Sequence, residues 1–272
     1  HTPSASVSCG SEMCIRDSTG TMVKSTHPGN AARMGAEAAI LSASGYTSSD
    51  SILEAPNGYS EALFQGNMDW EILTKDLGES YRLVNPGFDI KRFPAQIHMQ
   101  NTIEAVLNLR QNHDLRFQMV DHLTIHSRGR GHSGPIPISG LDGKFSIEYC
   151  SAAALLDGKV GIETFTDKRR FSPDMEEALA KVQVVADDTT RAVITATARL
   201  KDGTIVSAEC SAFRGSASNP MNRNERLEKI LDCSHRNLSE RDTERLLALL
   251  ENLEHVSDIC DVMEILRPAV PE

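Results

Sequence analysis

Residues 193–213 form the stretch VITATARLKDGTIVSAECSAF, which decides the fold class of this chain. Apolar and polar residues alternate on both sides of KDGT, and this period is typical of strands with one buried face. Asp202 and Gly203 are residues that favour a tight turn between antiparallel strands. The stretch therefore predicts a β-hairpin in a chain whose other long segments have helical spacing.

The region before the hairpin extends this β structure into a larger block. MVDHLTIH at 119–126 alternates and predicts a strand, and a shorter strand is predicted at 182–186. Two helices are predicted between these strands, one over residues 145–157 and a capped one over residues 172–182. Residues 115–215 together predict an α+β domain.

Helical patterns flank this block on both sides. Small apolar residues recur every three or four positions over 28–44, and a second helical pattern covers 102–111, with Pro94 as an alternative start. Three more amphipathic helices are predicted after residue 222. We therefore expect one helical domain, formed by residues 19–114 and 216–272, that is interrupted by the α+β domain.

Composition and charge exclude several classes of function. The 272-residue chain has a net charge of −10, and an acidic surface repels phosphate backbones. Nucleic-acid binding is therefore not expected. The sequence also contains no apolar run of the length that a membrane helix needs and no pattern of a secretory signal. We expect a protein without nucleic-acid or membrane partners.

The cysteines show no pattern of a metal or redox site. No pair has CxxC spacing, and no Cys/His group has the spacing of zinc ligands. They are interpreted as reduced thiols of a cytoplasmic protein, and Cys150, in an apolar helical pattern, is expected in the core. The six cysteines are Cys9, Cys14, Cys150, Cys210, Cys233 and Cys260.

The first eighteen residues differ from the rest of the chain. Residues 1–18, HTPSASVSCGSEMCIRDS, show neither helical nor strand periodicity. Their sequence resembles the translation of a sequencing adapter. We interpret residues 1–18 as a non-native or artefactual leader and exclude them from the fold prediction. On this interpretation the chain is a fragment of a longer protein.

The first candidate site is GTMVKSTHPGNAARMG at 20–35, where Lys24 and His27 directly precede a helical pattern that starts at Pro28. The first turn of a helix has unpaired N–H groups and a partial positive charge, so a lysine in front of it favours binding of a carboxylate or phosphate. The alternative interpretation is a solvated lysine beside a capping histidine.

KRFPAQIHMQN at 91–101 repeats this arrangement. Lys91 and Arg92 precede Pro94, and Gln96 is a polar residue at the start of the next predicted helix. Arginine binds carboxylates through two parallel hydrogen bonds, so the segment is a second candidate anion site. The alternative is an exposed basic pair with an apolar stem.

SRGRGHSG at 127–134 is the third candidate. Its glycines allow close approach of a ligand to the backbone, and Arg128, Arg130 and His132 add positive charge. The segment lacks the GK[ST] of a P-loop, and no helix follows it as a dinucleotide fingerprint requires. A mobile turn is the alternative interpretation.

At these residues the sequence resembles the MmgE/PrpD family, which includes 2-methylcitrate dehydratases, cis-aconitate decarboxylases and iminodisuccinate epimerases. The resemblance rests on GTMVKSTHPGNAARMGAEAAILSASGYTSSDSILEAPNGY, KRFPAQ, KFSIEYCSAAALLDG and LKDGT. These four segments agree with the family in order and spacing, and the resemblance extends from about residue 19 to about residue 268.

The resemblance implies a mixed fold, an all-α helical domain that is partial here with an inserted α+β lid. In the family the active site lies in the cleft between the two domains, uses no metal or organic cofactor, and takes part of its acid/base groups from the segment that is absent here. The helical domain usually forms a homodimer. By this resemblance, the fragment alone can be inactive.

The family's K-x-x-H-x-G motif falls on Lys24 and His27. Gln96 stands where the decarboxylase branch has histidine in the Lys-Arg-Phe-Pro-Ala-His form of the second motif. A lid tyrosine of the family falls near His132.

The sequence therefore predicts a cofactor-independent lyase or isomerase that acts on a small di- or tricarboxylate by proton transfer next to a carboxylate. Dehydration, decarboxylation and epimerisation share this step and stay open, and the alternative from another class is a non-catalytic helical scaffold. The expected catalytic residues are Lys24 and His132, and the expected substrate-binding residues are His27, Lys91, Arg92 and Gln96.

Overall fold

The computed structural model describes residues 22–127, 134–186 and 193–267. The chain forms two compact units, residues 1–88 and residues 89–272. In the part of the chain that the structure describes, no helix is both long and apolar enough to span a bilayer.

The first unit is helical where it is described. A 3₁₀ turn at Met22–Ser25 leads into helix α1, Thr26–Ala43, and two short helices follow, α2 at Tyr59–Phe64 and α3 at Trp70–Thr74. Helix α1 confirms the predicted small-residue helix, and it ends before Gly45, which has a φ of 90°. None of its described side chains is buried within the chain.

The second unit contains a mixed four-stranded sheet within the described ranges. Its strands are β1 (Val120–Ser127), β2 (Val182–Ala186), β3 (Ile194–Leu200) and β4 (Ile205–Cys210). The spatial order is β2-β1-β3-β4, with β2 parallel to β1 and the other pairs antiparallel. The hairpin predicted from the sequence is therefore confirmed, with Gly203 at a φ of 87° in its turn.

Four α-helices lie in the described part of residues 97–180, and the first two of them pack against this sheet. They are α4 (Ile97–Asn112), α5 (Ile147–Asp157), α6 (Asp167–Arg170) and α7 (Pro173–Ala180). Helix α4 packs on β3, β4 and α5, whereas α5 also contacts α7 and β2. The core between helices and sheet includes Ile103, Val106, Leu123, Ile125, Tyr149, Ala196 and Ala198.

Three further helices complete the second unit: α8 (Arg223–Ser234), α9 (Glu240–Leu250) and α10 (Cys260–Leu266). Their positions confirm the three C-terminal helices predicted from the sequence. Helix α8 starts at a capping box in which the Asn222 side chain and the Glu225 side chain each bond the other's backbone N–H. Helices α9 and α10 share a small separate core of Leu246, Val262 and Ile265.

Two predicted boundaries are set by local contacts. Helix α4 begins at Ile97, between the two predicted starts at Pro94 and Thr102, because Gln96 has extended backbone angles and acts as the N-cap. Strand β4 ends at Cys210 rather than at residue 213, since the Phe213 N–H donates to the Asn101 side chain instead of to a strand. The mixed α/β class is confirmed, while the predicted domain boundaries and the inserted-lid arrangement stay predictions.

Candidate functional site

The segment that precedes α4 is clamped by one buried side chain. Gln100 is fully buried, and its Oε1 accepts a hydrogen bond from the Phe93 N–H at 3.0 Å. Its Nε2 donates to the Phe93 carbonyl at 3.0 Å and, more weakly, to the Ala95 carbonyl at 3.4 Å. These bonds fix the backbone on which Arg92 and Gln96 lie.

The start of the same segment is tied to the loop between β4 and α8. The Ile90 N–H donates to the Gly215 carbonyl at 2.7 Å, and the Asp89 carboxylate accepts from the Ala217 N–H at 2.9 Å. Gly215 has a φ of 110°, and a Cβ at this position would lie 2.1 Å from the Ile90 carbonyl oxygen. Only glycine fits there, so this contact places the segment firmly.

Gln96 caps α4 and has one unsatisfied atom. Its backbone N–H donates to the Lys144 carbonyl at 3.0 Å. Its side-chain Oε1 is buried and has no hydrogen-bond partner among the described residues. A buried acceptor without a donor is unfavourable by about 1–3 kcal/mol, so a bound hydroxyl group would stabilise this position.

Arg92 has guanidinium N–H donors that no described residue uses. Its Nη1 lies 3.5 Å from Glu104 Oε1, and its guanidinium carbon lies 5.4 Å from the centre of the Phe93 ring. The guanidinium makes no hydrogen bond to a side chain or backbone group in the described ranges. Since a guanidinium has five N–H donors, Arg92 can accept a carboxylate ligand beside Glu104.

Glu104 is the centre of a small charged cluster. Its side chain is 14% exposed, and burial raises the pKa of its carboxyl, while the charge of Arg92 opposes that rise. Nearby, Arg214 Nε donates to both Glu225 oxygens, at 3.0 and 2.8 Å. Arg214 and Glu225 thus form a pair with each other. In contrast, Glu104 Oε2 is buried and has no hydrogen-bond partner in the described part of the chain.

Lys144 is a basic residue that the sequence reasoning missed. It is half-buried, forms no ion pair with a described residue, and has its Nζ 5.8 Å from the centre of the Phe165 ring. Burial lowers the pKa of its ammonium group. A signal was present, because Lys144 stands just before Ser146, the N-cap of α5, as Lys91 and Arg92 stand before α4.

Lys24 and His27 lie in the first unit where the sequence placed them, directly before and at the start of a helix. Lys24 is in the 3₁₀ turn, and His27 is in the first turn of α1. Both are half-buried. The His27 Nε2 is buried without a hydrogen-bond partner among the described residues, so the ring has an acceptor or donor available for a ligand.

Arg92 and Gln96 thus lie directly before α4, where the Gln96 N–H bonds the Lys144 carbonyl, and Lys91 lies exposed on the same segment. His132 and the neighbouring Arg128 and Arg130 lie outside the described residues. The proposed roles of all these residues stay predictions. No group of three or more histidine, cysteine or acidic residues in the described ranges is arranged to bind a metal ion.

Cys150 is not arranged as a nucleophile. Cys150 is fully buried, as the sequence predicted, and burial raises the pKa of its thiol. Its Sγ donates to the Gly143 carbonyl at 3.5 Å. The described cysteines, all free thiols, are Cys150, Cys210, Cys233 and Cys260.

Comparison with known proteins connects these features to one family. The family model of the MmgE/PrpD C-terminal domain matches residues 93–255, and that of the MmgE/PrpD N-terminal domain matches residues 4–71. The cis-aconitate decarboxylase of Homo sapiens is 25% identical over 266 residues, which cover 93% of this chain and 54% of the relative. That of Mus musculus is 25% identical over 271 residues, with the same coverage.

The chain therefore spans about half the length of the curated relatives that it matches. The C-terminal match alone covers more than half of the chain; it begins at Phe93, directly after Arg92, and includes the sheet and helices α8 and α9. The chain belongs to the MmgE/PrpD family.

Proposed function

We propose that this chain is part of a cofactor-independent lyase or isomerase that acts on a small di- or tricarboxylate. The reaction would move a proton at a carbon next to a carboxylate. The observation that carries the proposal is the match to both domains of one family, with two cis-aconitate decarboxylases among the relatives.

The proposed substrate contacts in the second unit are Arg92 and Gln96. Arg92 supplies unused donors for a carboxylate, and Gln96 supplies a buried acceptor for a hydroxyl group. Gln100 and Gly215 support this role, because they fix the backbone of the segment before any ligand binds. Preorganisation of this kind reduces the entropy lost on binding.

The remaining roles follow the family resemblance. Lys24 would bind a carboxylate and stabilise the negative charge that develops when the neighbouring carbon loses its proton. His132 would donate or accept that proton, and His27 and Lys91 would contribute to substrate binding. The proposal includes the family's domain plan, an α+β lid inserted into a helical domain, and a cytoplasmic homodimer.

Decarboxylation, dehydration and epimerisation differ in what leaves the substrate. Loss of CO₂, loss of water and inversion at one carbon all begin with a change at a carbon beside a carboxylate. Because both relatives are cis-aconitate decarboxylases, decarboxylation of cis-aconitate is the first reaction to test.

A non-catalytic scaffold is the second candidate. The ion pair between Arg92 and Glu104 supports it, since a structural arginine is expected to have an acidic partner. This alternative predicts that small carboxylates do not bind near Arg92.

The test is incubation of the purified full-length protein with cis-aconitate in D₂O, followed by ¹H NMR and measurement of released CO₂. The proposal predicts conversion of cis-aconitate, or deuterium incorporation beside a carboxylate, and loss of both in Lys24→Met. Lys159→Met, at an exposed lysine, serves as the control. No reaction with cis-aconitate, citrate or other small polycarboxylates would favour the scaffold.

A further inference from the structure

We infer that Glu104 is the positioning residue of Arg92, and that it takes up a proton when a substrate carboxylate binds to Arg92. The inference rests on the proposed function, because it concerns the binding of a carboxylate at Arg92. It assigns a role to a residue of helix α4 that does not itself touch the substrate.

Glu104 lies where it can fix the position of the Arg92 guanidinium. Glu104 Oε1 is 3.5 Å from Arg92 Nη1, and Arg92 is 28% exposed while Glu104 is 14% exposed. Glu104 lies one helical turn after Gln100, which clamps the backbone next to Arg92. The backbone and the side chain of this arginine are therefore both fixed from the same face of α4.

The other titratable groups near Glu104 are either paired with another residue or uncharged at neutral pH. Arg214 faces it from the loop after β4 but is bonded to both oxygens of Glu225, which faces it from the start of α8. Cys210 faces it from β4, and burial together with the Glu104 charge raises the pKa of that thiol to about 11. At neutral pH the thiol is protonated, so Glu104 is the group whose protonation can change.

Binding of a second carboxylate would bring two negative groups to one guanidinium. The substrate carboxylate is placed to take the unused donors of Arg92, whereas Glu104 Oε2 is buried without a partner in the described ranges. A buried carboxylate that shares its cation with another anion is strongly unfavourable. A proton from solvent on Glu104 removes that cost, and burial already raises the pKa of Glu104 in the free protein.

The first experiment measures the dissociation constant of cis-aconitate between pH 5 and pH 8 for wild type and Glu104→Gln. Glutamine keeps an acceptor for Arg92 but has no charge, and the ionisation of cis-aconitate cancels in the ratio of the two constants. We expect the two affinities to converge toward the acidic end of this range and the ratio to grow with pH, by up to about tenfold per pH unit, so that Glu104→Gln binds at least about fivefold tighter than wild type at pH 8. Glu244→Gln is the control, with the same charge change on an exposed side chain of α9.

Glu104→Met removes the acceptor as well as the charge. Because Arg92 then loses the group that positions it, we expect weaker binding than in wild type throughout this pH range. An unchanged melting temperature of Glu104→Met would show that the variant is folded. A ratio for Glu104→Gln that does not change with pH would overturn the proton uptake, even if cis-aconitate binds well.

The second experiment needs no ligand. The Nε–Hε NMR signal of Arg92, assigned by its loss in Arg92→Lys, should shift with pH in wild type above the ordinary glutamate pKa of 4.5 and stay constant in Glu104→Gln. An identical titration in both proteins would refute the positioning role. If wild type bound neither cis-aconitate, citrate nor other small polycarboxylates, the proposed function and the proton uptake would be refuted, while this signal would still decide the positioning role.

Discussion

Replacement of Gln100 by methionine is expected to loosen the segment that presents Arg92 and Gln96. Methionine is similar in volume, so Gln100→Met fills the buried site but removes both hydrogen bonds to Phe93. The Phe93 carbonyl keeps a bond from the Ala95 N–H at 2.8 Å, whereas the Phe93 N–H loses its partner.

The magnitude follows from that single orphaned donor. A buried N–H without an acceptor costs about 1–3 kcal/mol, and the second, shared bond adds a smaller loss. We therefore expect a decrease of about 2 kcal/mol in the free energy of unfolding. For a domain of this size that corresponds to a melting temperature about 4–8 °C lower.

The assay is urea unfolding of wild type, Gln100→Met and the control Gln118→Met, followed by circular dichroism. Gln118 is an exposed glutamine, so its replacement should change stability by less than about 0.5 kcal/mol. We also expect weaker cis-aconitate binding by Gln100→Met, because Arg92 would lose its fixed backbone. Equal stability of the two variants would refute the assignment of Gln100 as the clamp.

Three further predictions concern the segment, the missed lysine and the first unit. Gly215→Ala should lower the free energy of unfolding by more than about 1 kcal/mol in urea titrations, because Gly215 has a positive φ and lies against the Ile90 carbonyl. The control Gly134→Ala, at a position with open space, should not lower it. Lys144→Met should raise the dissociation constant of cis-aconitate about fivefold or more by calorimetry, while exposed Lys159→Met leaves it unchanged. In the full-length protein, Lys24→Met should lower kcat/KM for cis-aconitate at least about tenfold in steady-state assays without a change in melting temperature; a collapsed melting temperature would make Lys24 structural.

Local signals in the sequence were sufficient for most of the secondary structure. The alternation around KDGT and the small-residue pattern after Pro28 both correspond to observed elements. These features depend on residues only a few positions apart, so they can be recognised without knowledge of the tertiary fold.

The start of α4 was harder to place, because its cap is not one of the usual residues. Gln96 has no side-chain capping bond, and its position is set by the Lys144 carbonyl, which lies far away in sequence. A glutamine before an isoleucine gives no strong start signal, so the sequence left the start open between Pro94 and Thr102.

Of the candidate site, the sequence identified the basic residue Arg92 but not the residues that hold it in place. Arg92 was singled out because it precedes a helix, but its partner Glu104 and the clamp Gln100 were not assigned roles. Their four-residue spacing on α4 was visible in the sequence, although polar residues at that spacing more often form a solvated face. The contact between Ile90 and Gly215 joins positions too distant for local reasoning.

The central claim is that Arg92 binds a carboxylate of the substrate, and the dissociation constant of cis-aconitate for Arg92→Met tests it most directly. A charge-assisted hydrogen bond contributes about 1.5–3 kcal/mol, so we predict a constant at least about tenfold higher than in wild type. Arg116→Met, which removes the same charge at an exposed position, should bind as wild type does. Equal constants for wild type and both variants would contradict the account.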